Sequence, residues 1–547
     1  MPIAEWVLSK FPSRVQDNGM MHFGKSPCDD AVIQAGDQAS PCAQSAKPWI
    51  LAAAILGSSL AFIDGTVVNV ALPALQRELN ASAFEAQWVI ESYALLLAAL
   101  LLVGGSLGDR FGRRRVFMIG VALFAVSSLL CGLAATVQQL IAARALQGAG
   151  GALLVPGSLA LISASFSKEE RGRAIGTWSG FSGITAAIGP VLGGFLVDQF
   201  SWRWAFLINA PIAAAVLWIA SQHVPESRGG AQSTDWLGAA LATLGLSGIV
   251  FALIESASQG WNSAPVLGAL AIGVLALACF LVVEARTSAP MLPLRLFRSR
   301  NFAGANALTL LLYAAIGGGL FFLPLNLIQV QGYSATAAGA ALLPMILIMF
   351  ALSRWAGGLT DRLGAKLPLV IGPIVAAGGF ALLARPGVGA DYWAGFFPAI
   401  VVLGIGLSIS VAPLTTTVMN SVEQSLAGVA SGVNNAVSRT AGLLAIAVFG
   451  LLMAWVFGAD LDRRLAALDV DATLVNLVAS QRDKLAGMDI PSDLGDGQAA
   501  ELKAAVQVSF VRGFRAIMLC CTVLALLSAL SAALTLEPAR AQLPATK

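Results

Sequence analysis

Charge is what this 547-residue sequence has least of. Asp, Glu, Lys and Arg make up 12% of it against 57% apolar residues, and the formal net charge is only +3. A soluble fold of this length needs far more charge at its surface, so a soluble protein is excluded, and nothing in so small a balance points to nucleic acid. The six cysteines (Cys28, Cys42, Cys131, Cys279, Cys520 and Cys521) show no C-x-x-C or zinc-type spacing, so no disulfide framework and no metal site are expected. There are two histidines, His22 and His223, both outside the apolar runs and poor candidates for an intramembrane relay. The G-x-x-x-x-G-K-[ST] phosphate loop is missing, which argues against ATP-driven work within this chain, and so are H-E-x-x-H and nucleophile motifs. The expectation is a protein that is no enzyme and holds no cofactor.

What the sequence does have is apolar runs of membrane-span length. They fall near residues 49–73, 87–107, 116–135, 138–163, 174–197 and 204–222, then 236–255 and 265–284, then 303–329, 335–357, 367–384, 393–418, 434–457 and 513–535. That predicts an all-α integral membrane protein of fourteen spans, arranged as six, two inserted, and six. The segments expected are a cytoplasmic tail (1–48), a first half (49–222), an inserted pair with linkers (223–302), a second half (303–535) with an outer loop (458–512), and a cytoplasmic tail (536–547). The first tail has no secretory-signal pattern, and Met20 or Met21 is an alternative start. In the outer loop, Leu461, Leu465 and Leu468 with Asp462, Arg463 and Arg464 predict a short amphipathic helix on the outer surface.

An internal repeat organises the runs. G-S-L-G-D-R-F-G-R-R-R at Gly105 to Arg115 recurs as G-G-L-T-D-R-L-G-A-K at Gly357 to Lys366, each time between the second and third span of a half. The turns carrying these copies belong to the set rich in Lys and Arg, which places them and both termini in the cytoplasm. Arginine alone would serve topology, and glycine alone would serve close helix packing. An acid at the same point of both copies (Asp109, Asp361) beside an arginine (Arg110, Arg362) adds a charge pair near a helix end. Arg113, Gly112 and Gly364 complete the turns.

Asp64 lies in the middle of the first run, in L-A-F-I-D-G-T-V-V-N-V-A-L-P. A charge at such depth costs about 2.5–3.5 kcal/mol on insertion scales, so an intramembrane acid faces a cavity or a partner. Arg144, in L-I-A-A-R-A-L-Q-G-A-G-G-A of the fourth run, is expected at nearly the same depth and can pair with it. A purely structural tie, to Arg144 or to Asn69, is the plainer role. Glu91 opens the second run (W-V-I-E-S-Y), where it either acts or snorkels to the interface. Gly189, Pro190, Gly193 and Gly194 allow close packing in the fifth run. Phe62, Tyr93, Trp178 and Tyr313 are candidates for apolar and cation-binding cavity faces, though aromatics on membrane helices more often meet lipid or another helix.

The paired turns resemble the signature loop of the major facilitator superfamily, carried once in each six-helix half. The Asp64 stretch, together with S-W-R-W-A-F-L-I-N-A-P at Ser201 to Pro211 and A-G-V-A-S-G-V-N-N-A-V-S-R-T-A-G-L at Ala427 to Leu443, is similar to segments of its fourteen-spanner drug:proton antiporters. The resemblance implies the major facilitator fold, a latch between halves at the Asp–Arg turns, proton coupling at Asp64 tuned by Arg144, and export through the G-P-V-L-G-G motif. Thr185 departs from the glycine that motif wants. The tenth run lacks the acid that some members use for divalent cations, so neutral or singly charged lipophiles are the expected cargo. The expected setting is the bacterial inner membrane, with protons, lipid and a lipophilic small molecule as partners. In a host with two membranes, a periplasmic adaptor and an outer-membrane duct are further partners to seek. A carrier dedicated to one metabolite, siderophore or sugar is the nearest alternative, and a non-transporting sensor or scaffold the third.

Overall fold

The computed structural model describes residues 45–228, 235–287, 290–359, 363–422, 427–468, 478–489 and 496–537, and every regular element among them is helical. In chain order they are α1 (Lys47–Leu79), α2 (Ala83–Phe111), α3 (Arg113–Gly132), α4 (Val137–Ser165), α5 (Lys168–Gln199) and α6 (Trp204–His223). Next come α7 (Trp236–Gln259) and α8 (Ala264–Arg286). The remainder are α9 (Arg300–Leu325), α10 (Ala335–Ala341 and Leu343–Gly357), α11 (Lys366–Leu383), α12 (Phe397–Asn420), α13 (Ala427–Ala467) and α14 (Asp496–Thr535). Among the described residues thirteen helices are long and apolar enough to cross a membrane. The expected fifth span falls in α5, a 32-residue helix that is not one of those thirteen.

Short polar caps start these helices where the apolar runs begin. Ser82 and Glu85 form a reciprocal capping box on α2, Asp235 accepts from the Gly238 amide at 2.7 Å to start α7, and Ser299 and Ser334 cap α9 and α10. The polar–apolar pattern at residues 461–468 has a different outcome from the separate surface helix expected. It is the last part of α13, continuous with the span, and Leu461 and Leu465 are buried in the core. Helical hydrogen bonding simply continues, because Asp460 accepts from Arg464 at 2.7 Å on its own helix and from Arg512 of α14 at 2.8 Å.

The packing shows the repeat directly. α4 packs against α2 and α3, α1 against α4, α5 and α6, and α3 against α6. The same pairings recur with α12 on α10 and α11, α9 on α12, α13 and α14, and α11 on α14. The two sets meet through a matched pair of contacts, α5 on α10 and α13 on α2. α7 seats against α2 and α13, beside that seam, and α8 packs on α7 with most of its apolar surface exposed. Lipid offers no hydrophobic drive for such contacts, so close approach of backbones supplies it. Gly148 sits against the Tyr93 main chain, Gly104 against that of Ala152, and Gly120 against that of Leu154. The glycine run of α4 thus lets α2 and α3 close on either side of it.

Candidate functional site

That close packing brings α1, α2, α3, α4 and α6 together around one buried polar cluster. Asp64 is fully buried and Arg144 is 1% exposed. Arg144 Nη1 donates to Asp64 Oδ2 at 2.5 Å, so the pair expected from matched depth is made. Gln147 Nε2 donates to Asp64 Oδ1 at 2.8 Å, Asn209 Nδ2 reaches the same oxygen at 3.4 Å, and Ser128 accepts from both amides. Arg144 keeps other partners: its Nε donates to the Val89 carbonyl at 3.0 Å and its Nη1 to Gln147 Oε1 at 2.7 Å. The guanidinium also lies 4.2 Å from the centre of the Tyr93 ring and 5.6 Å from that of Phe206. These aromatic faces attract a cation. Breaking a buried pair by neutralising one member leaves an uncompensated charge. Here the arginine has a carbonyl, an amide oxygen and two rings as partners besides its carboxylate.

Gln147, Asn209 and Ser128 were not singled out from the sequence. For Gln147 a signal existed, since it stands three residues after Arg144 and therefore on the same helix face. Asn209 and Ser128 lie on helices that only tertiary packing brings to Asp64. Asn69 is half-buried, and the tie to it weighed as a structural role for Asp64 is not among the bonds Asp64 makes.

Glu91 does not snorkel. Its residue is fully buried on α2, where neither carboxyl oxygen makes a well-formed hydrogen bond and the polar side chain nearest to partnering it is that of Gln87. The reason is the seam: Gln87, one turn earlier, donates across to the Ile446 carbonyl of α13 at 3.1 Å, and Leu95, one turn later, packs with Leu246, Val250 and Leu443. Glu91 is thereby enclosed between helices at a point where the sequence left a functional role and exposure at the interface equally open.

In the first signature turn Asp109 Oδ1 accepts from Arg113 Nε at 2.8 Å, and Arg110 lies over the Phe111 ring. Among the described residues the partner of Asp109 is thus in its own turn. The start of α3 is taken by Glu226, whose oxygens accept from the Arg114 and Arg115 amides at 3.1 and 3.2 Å. Gly112 shows why the skeleton ends in glycine: its φ is +110°, and a Cβ there would lie 2.6 Å from a Glu226 oxygen. Gly364, the matching residue of the second copy, also has positive φ, +74°. Gly105 lies within α2 and Gly357 ends α10, while Asp361 and Arg362 lie outside the described residues.

The α5 motif divides between two neighbours. Gly189 and Gly193 press on Thr66 and Val67 of α1, while Gly194 meets Ala335 and Thr336 of α10 and the Pro190 carbonyl meets Gly339. At this end Asp198 accepts from the Ala335 and Thr336 amides at 3.1 and 2.8 Å. Gln329 donates to Gln76 at 3.0 Å, and Lys484 to Asn80 at 2.7 Å. A cavity of about 20 Å³, lined by Gln76, Gln87, Gln329, Lys484 and Leu485, remains between these contacts, room for about one water. Of the aromatic candidates, Tyr93 belongs to the polar cluster, Trp178 donates to Ser58 at 2.9 Å, and Phe62 and Tyr313 are half-buried on α1 and α9.

The profile of the Major Facilitator Superfamily matches residues 54–446. The chain is 36% identical over 416 residues to the tetracenomycin C resistance and export protein of Streptomyces glaucescens, covering 75% of this chain and 76% of that one. It is 35% identical over 417 residues to the multidrug resistance protein Stp of Mycobacterium tuberculosis, with 75% and 76% covered. To the methylenomycin A resistance protein of Bacillus subtilis it is 34% identical over 419 residues, with 75% and 89% covered. Its fold resembles that of a bacterial homologue of the lysosomal transporter Spinster, with a TM-score of 0.65 at 17% identity over 90% of this chain and 97% of that one. On a profile match over most of its length, and on relatives above 30% identity, the chain belongs to the Major Facilitator Superfamily of membrane transporters.

Proposed function

We propose that this chain is a proton-coupled antiporter that exports lipophilic toxic compounds across the bacterial inner membrane by alternating access. The observation that carries the reading is the Asp64–Arg144–Gln147 cluster, a buried carboxylate whose arginine keeps other partners when the carboxylate takes a proton. The named activities of the relatives, resistance to and export of antibiotics, support the cargo class. In this reading α5 is the fourteenth span, α1–α6 and α9–α14 are the two halves, and α7–α8 is the inserted pair. The matched helix pairings support that division. The arginine-rich turns and both termini face the cytoplasm, so the end carrying Asn80, Asp198 and Lys484 is the outer one, here closed. Rocking of the halves about the midplane cluster would open it.

Asp64 carries the proton and Arg144 tunes it. Glu91, buried without an ion-pair partner at the seam of α2 with α13, is a second group that closes the seam when protonated. The Asp109 turn and its partner at Asp361 latch the opposite end. Each proton entering contributes about 2.3 kcal/mol per 100 mV of potential, besides its concentration term. No bound cofactor is required, since the proton gradient supplies the work. Export from the inner membrane needs this chain alone, and an adaptor or outer duct would add a second stage.

Energised inverted vesicles carrying a pH-sensitive dye test the reading. Several chemically unrelated lipophiles should each release protons with the wild type and none with Asp64→Asn at equal expression. A response to one compound only would favour a dedicated metabolite, siderophore or sugar carrier. No flux of any compound in proteoliposomes would favour a sensor or scaffold, and an unimpaired Asp64→Asn would return Asp64 to a structural role.

A further inference from the structure

A second arginine stands at mid-depth, on the other side of the seam. Three contacts fix the register of α13 on α2. Gln87 donates to the Ile446 carbonyl, Leu95 packs with Leu443, and a Cβ on Gly432 would lie 3.1 Å from Leu102 Cδ2. Arg439 precedes Leu443 by one turn and follows Gly432 by two, so it shares their face and meets α2 between the levels of Leu95 and Leu102. That is the middle of α2 (Ala83–Phe111). Tyr93, on α2 near the same level, is within electrostatic range of Arg439 and carries Arg144 over its ring at 4.2 Å.

The two arginines differ in what they touch. Arg144 is matched by a carboxylate, an amide oxygen and a carbonyl. Arg439 has a buried Nε with no hydrogen-bond partner, and among the described residues no ion pair includes it. A guanidinium offers five donors in a rigid fork and accepts nothing, so what this position lacks is acceptor oxygen. A charged side chain in mid-membrane marks a functional site with a missing partner. Asp64 is already matched by Arg144, and Glu91 of the same seam makes no ion pair with Arg439, so the guanidinium keeps its positive charge unmatched. A lipophilic cation entering there meets like charge, while an oxygen acceptor completes the arginine.

We propose that Arg439 is a substrate contact and that it selects lipophiles bearing acceptor oxygens, as carboxylate, phenolate or ring carbonyl, over lipophilic cations. The proposal rests on the reading of this chain as a lipophile exporter and specifies its cargo. Leu95 and Leu443 supply apolar surface one turn along the seam, which suits an aromatic ring carrying the oxygens.

The test is binding to the purified full chain in lipid nanodiscs without a proton gradient, so that it does not depend on coupling. Three probes of comparable size are titrated by tryptophan quenching: an anthraquinone carboxylate, a neutral naphthoquinone and tetraphenylphosphonium. The wild type should bind the two oxygen-bearing probes more tightly than the cation. Arg439→Gln should weaken them by about ten- to a hundredfold, as expected for hydrogen bonds to a charged group, and leave tetraphenylphosphonium unchanged or tighter. Arg439→Lys keeps the charge in a variant of similar size, and should restore the carboxylate more than the quinone, which needs the planar fork. Preference of the wild type for the cation, or equal loss of all three probes in both variants, overturns the assignment and leaves the exporter reading in place. No binding of any probe by folded wild type overturns both.

Discussion

At the residue scale, the chemistry concentrates where one side chain's charge is balanced by another helix's. Asp64 and Arg144 were legible because acids and bases inside apolar runs are expensive and therefore stand out. Glu91 stood out equally, but its position near the start of a run left exposure to water open where the structure has α13. Gln147 and Asn209 are uncharged, so only the spacing of Gln147 from Arg144 marked either of them, although their amides hold the same carboxylate. Removing Arg144 alone is expected to be worse than removing both members of the central pair. Arg144→Met should destabilise the protein by about 3–5 kcal/mol, since it strands a buried carboxylate, and Asp64→Asn/Arg144→Met should recover much of that. Thermal unfolding of the purified variants reads this, and simple additivity would show that the pair is not coupled.

At the element scale, the signature turn is held by more than its own residues. The repeated G-x-L-x-D-R-x-G skeleton marks its glycines and its Asp–Arg pair, and the positive φ values of Gly112 and Gly364 explain why the last glycine recurs. Glu226 is absent from that skeleton, lying more than a hundred residues on in the linker after α6, yet it occupies the start of α3. The linker to α7 is thus tied to the turn. Gly112→Ala should lower stability through two effects, a positive-φ extended conformation (φ +110°, ψ +124°) costing a residue with a Cβ about 1–3 kcal/mol and a clash with the Glu226 carboxylate. In a Glu226→Ala background only the first should remain, so the glycine substitution should be milder there. Equal losses in the two backgrounds, measured by thermal unfolding, would rule out the clash.

At the scale of the whole molecule, the described state is closed at the end where Gln329 meets Gln76, Lys484 meets Asn80 and Asp198 caps α10. Alternating access requires these contacts to part in every cycle. Replacing Gln76 and Gln329 with cysteine, in a background without the native cysteines, and joining them with a short reducible thiol crosslinker should abolish export. Reduction should restore it, and each single cysteine should remain active. Undiminished export by the crosslinked chain would show that this end does not open.

The sequence by itself determined the class, the repeat and the two mid-membrane charges of the first half. Hydrocarbon imposes its demands residue by residue, so span length, loop charge and buried ions are written along the chain. Tertiary structure alone decided which helices cross the seam. It enclosed Glu91 and left the Arg439 Nε without a partner there, brought Asn209 and Ser128 into the Asp64 cluster, and gave the α3 terminus to Glu226. Those outcomes depend on how closely glycine-lined backbones approach and in what register, and neither composition nor periodicity within one helix specifies its neighbour's register.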